Sequence, residues 1–251
     1  VELWLSDYKT VEFQRYMENT PANITYVGIA RTKEYSLALI DKIYNEYERR
    51  ALLFGESHAT SMEEYRKTNG KDSMPRLLVI IDEFHVMSNH IKDEPDYSMK
   101  LGAILREARA TGIGMLLSDQ TCGVGLNGLK EDARLQLNCR MAMRTSIDEY
   151  NAVFNINNAA QVIPKVLNYE IVLRRETVKL NVNGVPVVNV FYEHSKTIYT
   201  PPEIRDIIAK KSIESYGTNE DLVSITSDLR APADWDAILK ESDTHAQIHG
   251  G

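Results

Sequence analysis

The chain has 251 residues, 43% of them hydrophobic and 26% charged, with a net charge of -7 and a sequence pI near 5.5. This composition excludes a disordered chain and a surface that is basic overall, and the length suffices for one large α/β core or two small ones. Two cysteines, Cys122 and Cys139, neither with a CxxC partner, exclude a disulfide framework and a thiolate zinc site and fit a reducing cytoplasm, while no apolar run approaches the roughly 18 to 20 residues of a membrane helix.

The first segment, VELWLSDYK, alternates and then turns polar, which predicts a strand and a loop. ITYVGIA, residues 24 to 30, predicts a second strand. Over KEYSLALIDKIYNEYERRALLF, residues Leu37, Ile40, Tyr44, Tyr47, Ala51 and Phe54 recur at spacings of three and four, the signature of a long amphipathic helix. A polar connection with one short helical turn near Met62 to Lys67 leads to Pro75. RLLVIIDEFHVM, residues 76 to 87, then places five branched apolar residues ahead of Asp82 and Glu83. Such a run without alternation predicts a strand buried on both faces, as in parallel sheets. Acids at the carboxyl end of such a strand sit where ligands bind in open α/β sheets.

The charged stretch SNHIKDEPD predicts a loop. SMKLGAILREARATG predicts a helix closed by Gly112, and IGMLLSDQT another buried strand with polar residues at its end. CRMAMRT predicts a short strand, followed by a helix over Ile147 to Phe154. Alternating strands and helices call for a mostly parallel sheet with helices on both faces. From Tyr169 the pattern changes: EIVLRRE, TVKLNVNG and PVVNVFYEH read as antiparallel strands, with Asn183-Gly184 as a hairpin turn. TPPEIRDIIAKKSIESYG predicts a helix capped by Thr200, and residues 214 to 251 a polar tail or linker.

VIIDEFHVM, followed about thirty residues later by LREARATGIGMLLSDQT, resembles the motor domains of the FtsK/SpoIIIE and HerA group of P-loop ATPases. SDYKTVEF, the ERR of residues 48 to 50, CRMAMRTSIDEYNAVF and PPEIRDIIAKK resemble further motifs of that group in the same order, so the similarity covers about residues 1 to 213. The resemblance implies a RecA-like P-loop NTPase core and binding of ATP with Mg2+. It implies that Asp82 holds the metal, that Glu83 polarises the attacking water and that Gln120 senses the γ-phosphate. Arg140, with Arg134 as competitor, would be the finger offered to a neighbouring subunit's nucleotide. It also implies a hexameric ring translocating double-stranded DNA, or, as in type VII secretion ATPases, a secreted protein; a third reading is a catalytically incomplete module that binds a partner. The location implied is cytoplasmic, with membrane anchorage through an upstream region. Ser118 and Asp119 replace the alanine-threonine that usually precedes the glutamine, leaving the contacts beside it open.

The group's phosphate loop, G-x-x-x-x-G-K-[ST], is not in the sequence. NGKDS, residues 69 to 73, lacks the first glycine and the hydroxyl and lies between helix and strand. The chain is therefore expected to be the carboxyl-terminal portion of a motor, beginning after that loop. Two other patterns are set aside: His85 and His90 near the acids as a metal cluster, and Gly123, Gly125 and Gly128 as a nucleotide-binding glycine pattern.

Overall fold

The computed structural model describes residues 1–17, 20–71, 73–121, 129, 131–137, 139–163, 165–183, 185–196, 202–220 and 222–226. Five strands form a parallel sheet: β1 (Glu2–Asp7), β2 (Ile24–Ile29), β3 (Leu77–Asp82), β4 (Ile113–Leu117) and β8 (Val223–Thr226), in the order β4-β3-β1-β2-β8. Three more, β5 (Arg140–Met143), β6 (Glu170–Leu180) and β7 (Pro186–Lys196), form an antiparallel sheet in that order. The expected combination of a parallel sheet with antiparallel strands near the carboxyl terminus is what the chain adopts.

The main helix α1 (Lys33–Glu56) begins where the Thr32 side chain accepts the Tyr35 N–H, an N-cap of the usual kind. It packs with α3 (Phe84–Ile91) and α4 (Pro95–Glu107) over one face of the parallel sheet. Trp4, Tyr26, Val79 and Ile81 from the strands meet Leu39, Ile43, Met87, Ile91 and Leu101 from these helices in the largest core cluster. On the other face Leu5, Ile24, Val27 and Ile29 pack under Phe13, Tyr16 and Met17 around a 3-10 turn, Gln14–Tyr16. Along β3, Leu77, Val79 and Ile81 are buried while Leu78 and Ile80 are half-buried, so that strand is fully buried on one face only.

Arg50 of α1 is 1% exposed. It pairs with Glu46 at 2.6 Å and donates to the carbonyls of Pro75 and Thr111, which precede β3 and β4. A charge this deep needs every donor matched, and here it fixes the entry of two strands against one helix.

The expected burial of β3 on both faces is not met, nor is that of β4, where only Ile113 is buried and Leu116 is exposed at the sheet's edge. Three further expectations change. The predicted 88–96 loop shrinks to a joint between α3 and α4, because Phe84, Met87 and Ile91 supply a buried helical stripe and Pro95 starts the next helix at a position where its missing N–H costs nothing. EIVLRRE and TVKL form one eleven-residue strand, paired throughout with β7. Within the expected polar tail, α8 (Pro202–Tyr216) runs past residue 213 and Val223–Thr226 adds to the parallel sheet beside β2. Four residues were too few to show a period. The Thr200 cap, Gly184 of the hairpin turn, Cys122 and the 123–128 glycines lie outside the described residues. No helix among the described residues is long and apolar enough to cross a membrane.

Candidate functional site

The site is built at the carboxyl edge of the parallel sheet, where three strand ends lie side by side. Asp7 ends β1 in register with Asp82 of β3, and Ile81 is in register with Leu117 of β4. The chain after β4 is pinned here by backbone bonds: Ser118 N–H donates to Ile81, and Phe84 N–H donates to Ser118.

Glu83 links β3 to α3. Its backbone is left-handed (φ 54, ψ 50), a conformation that costs a non-glycine residue roughly 1–2 kcal/mol. The turn aims its side chain back across the strand ends, where the residue is 8% exposed. Gln120 donates from Nε2 to Glu83 Oε1 at 2.6 Å, and Lys9 Nζ stands 4.0 Å from the same oxygen. Backbone strain retained at a buried acid is a known mark of functional sites. The neighbouring Asp82 is half-buried, and its carboxylate has no hydrogen-bond partner among the described residues.

Asp7 has a different role. Its Oδ1 accepts the N–H groups of Lys9 and Thr10, and its Oδ2 those of Val11, Glu12 and Phe13, all between 2.6 and 3.1 Å. A wholly buried carboxylate saturated in this way is a scaffold: it winds residues 9–13 into a tight loop, with Thr10 at φ 65, and thereby delivers Lys9 toward Glu83. The alternating look of VELWLSDYK carries no sign of this.

The structure separates the two histidines. His90 Nδ1 bonds Ser36 Oγ at 2.7 Å, and Ser36 also receives the Tyr8 hydroxyl. Burial pushes the His90 pKa down, against the pull of Glu34 and with the help of Lys33. His85 instead turns into the site, with Nδ1 3.3 Å from Glu83 Oε2 and 3.2 Å from Asp119 Oδ1, while its backbone N–H donates to Asp119 Oδ2 at 2.6 Å. The unusual Asp119 is thus the partner of His85. The departure from the group's pattern was the available signal, but periodicity gave no partner for it.

The set Asp82, Glu83 and Gln120 is therefore assembled at one edge. Arg140 is placed otherwise: Nε donates to Leu137, one terminal nitrogen to Val153 and the other to Arg134, each a backbone carbonyl at 2.8 to 3.1 Å. It ties the turn after α5 (Glu131–Leu135) to the end of α6 (Ile147–Phe154). Arg134 Nε donates to the Leu129 carbonyl at 3.1 Å. Arg140 also lines a cleft of about 170 Å³ with Phe84, Leu117, Asp119 and Met141, running along the outer edge of β4.

Chemically, a half-exposed carboxylate that no described residue hydrogen-bonds, beside a buried, oriented one, suits a hard cation such as Mg2+ with its retained waters. Among the described residues no phosphate cradle accompanies it: Gly70 and Lys71 lie between α2 (Met62–Asn69) and the start of β3, at the opposite end of that strand from Asp82.

No family model matches the chain. In sequence it is 29% identical over 124 residues to the ESX secretion system protein YukB of Bacillus subtilis (strain 168), covering 47% of this chain and 8% of that one. It is 26% identical over 147 residues to the ESX secretion system protein EccC of Geobacillus thermodenitrificans (strain NG80-2), covering 56% of this chain and 10% of that protein. The chain thus spans a small part of the curated relatives it matches. Among solved structures, the pCW3 conjugation coupling protein TcpA, in monomer form with ATPγS, aligns with a TM-score of 0.62 at 17% identity, over 86% of this chain and 56% of that one. The cytoplasmic domain of the Thermomonospora curvata type VII secretion ATPase EccC aligns with a TM-score of 0.60 at 22% identity, over 93% and 26%. The chain thus shares its fold with TcpA and with the type VII secretion ATPase EccC, and over about half its length it resembles ESX secretion proteins in sequence.

Proposed function

We propose that this chain supplies the metal-holding and water-activating side of an ATP-driven ring motor. The observation that carries the reading is the Glu83–Gln120 hydrogen bond of 2.6 Å at the edge of a parallel sheet, directly after Asp82, whose carboxylate has no partner among the described residues. In this reading Asp82 is the Walker B aspartate and holds Mg2+ through water, and the ion would neutralise charge on the phosphates. Glu83, fixed by Gln120 on one oxygen, uses its other oxygen, which also faces His85 Nδ1 at 3.3 Å, to orient and deprotonate water. Gln120 stands where it reports a γ-phosphate to the acid. Lys9 adds positive charge beside Glu83. Arg140 serves as a finger in a hexamer only if it leaves its three carbonyls.

The triphosphate also needs a phosphate loop, and the edge of β4 that no described strand pairs is where a strand bearing one would join, because that edge ends beside Gln120. Without such a loop the acids repel the triphosphate, so the chain by itself is expected to bind ATP weakly and turn it over little. Joining a strand, a GxxxxGKT loop and a helix ahead of Val1 is expected to give Mg2+-dependent ATP hydrolysis, and Glu83→Gln in that protein to lower it by about 10²- to 10⁴-fold. Hydrolysis indifferent to Glu83→Gln overturns the assignment.

The cargo we propose from the motor resemblance is double-stranded DNA, in chromosome transfer or conjugation, in line with the fold shared with TcpA. A secreted protein is the second reading, favoured by YukB and EccC as the sequence relatives and by the net charge of -7. Duplex DNA binding that weakens steeply with salt supports the first reading, and salt-independent failure to bind supports the second.

A further inference from the structure

Glu83, His85 and Asp119 place three potential ligand atoms within 4.8 Å of one another. They come from two separate parts of the chain, the β3–α3 turn and the segment after β4, and each is already oriented. Gln120 holds Glu83 by Oε1, leaving Oε2 toward the histidine. The His85 N–H holds Asp119 by Oδ2, leaving Oδ1 toward the same ring nitrogen and the Thr121 N–H. The spacings Nδ1 to Oε2 of 3.3 Å and Nδ1 to Oδ1 of 3.2 Å match the edges of a coordination polyhedron. Ligands about 2.0 to 2.2 Å from one zinc-sized ion, at tetrahedral or octahedral angles, stand about 3.0 to 3.4 Å apart. The His85 side chain is 29% exposed, so the remaining positions of such an ion open to water.

We propose that Glu83 Oε2, His85 Nδ1 and Asp119 Oδ1 form a binding site for one divalent transition-metal ion of the zinc or cobalt kind. An imidazole with two carboxylates suits Zn2+, Co2+ or Mn2+, whereas Mg2+ takes oxygen ligands and holds its waters. Binding requires the ring's proton on Nε2 and the Nδ1 lone pair turned to the ion. The site is distinct from the magnesium position proposed at Asp82, which is not a member of the triad, and it stands whether or not that reading holds. Where both hold, an ion on Glu83 Oε2 removes the group that orients water, so transition-metal occupancy and hydrolysis exclude each other.

Titration of the chain with CoCl2 at pH 7.5, followed by visible absorption, tests this. One equivalent is expected to give a ligand-field band, lost on adding one equivalent of ZnCl2 and unaffected by a tenfold excess of MgCl2. His85→Ala and Asp119→Asn are each expected to weaken cobalt binding at least about tenfold, with unchanged far-UV circular dichroism, while Asp82→Asn leaves it intact. Absence of the band, a band equally strong in both ligand variants, loss of the band in Asp82→Asn, or a thiolate charge-transfer band pointing to the exposed Cys139 would each overturn the site.

Discussion

The two sheets are built on opposite terms. In the parallel sheet, Val79 and Ile81 of β3 are 0% exposed and three helices share their core. In the antiparallel sheet, β7 shows Val188 at 56% and Phe191 at 48%, with a small cluster around Tyr150, Phe154 and Val172 beneath. The difference teaches where chemistry can reside. A left-handed Glu83 with a buried carboxylate needs surroundings that do not yield, and the packed first sheet provides them.

The sharpest way to break this contrast is substitution in the two sheets. Ile81→Ala is expected to destabilise the protein by about 2–5 kcal/mol, and Val188→Ala to stay within about 0.5 kcal/mol, by denaturant unfolding. Equal costs would show that β7 is covered by something else in solution. Next comes the site itself: Gln120→Ala strips the hydrogen bond from a buried carboxylate and is expected to cost about 1–3 kcal/mol, while Glu83→Gln, which keeps a matching acceptor, costs less. The same unfolding curves decide the order.

Acid separates the two regions by window. His90 has its pKa lowered by burial, so the contribution of keeping it neutral is present above its ordinary value of about 6.5 and is lost as pH falls from there toward the lowered value. Glu170, which pairs with His194 in the second sheet, has its pKa lowered by the Leu167 N–H and then by His194. Its contribution is present above about 4.3 and is lost as pH falls below that toward the lowered value. Hydrogen exchange at pH 5.5 is expected to loosen α1 and α3 and to spare β6. His90→Gln is expected to flatten the first response, and an unchanged pH profile in that variant would contradict this small effect.

Legibility followed the same division. The α1 stripe is readable because burial of one helical face imposes a period on the sequence, and the strand VIIDEF because its apolar residues run unbroken up to the acids. α6 was found over its observed span, Ile147–Phe154, where Ser146 caps it through the Glu149 N–H. Individual side-chain contacts, near or far along the chain, left no such trace. Asp7 gathers five N–H groups, Arg50 joins two strand entries and Asp119 meets His85 across 34 residues, all through partners that no local pattern names. β8 was hidden for another reason: four residues at the edge of a sheet gain their conformation from β2 rather than from their own composition. The motif singles out Asp82, Glu83 and Gln120, whereas Lys9 goes unnamed and His85 enters only in a metal cluster with His90 that is set aside, because the sequence does not show that His85 meets Asp119 while His90 turns to Ser36.

The most direct measurement is an NMR titration of the chain with Mg2+ and ATPγS, following backbone amides and the Gln120 side-chain amide. The account predicts weak, saturable shifts concentrated at residues 82–85 and 118–121, with the Gln120 side-chain response removed by Glu83→Ala. Shifts confined to the antiparallel sheet, or none at millimolar nucleotide, would contradict it.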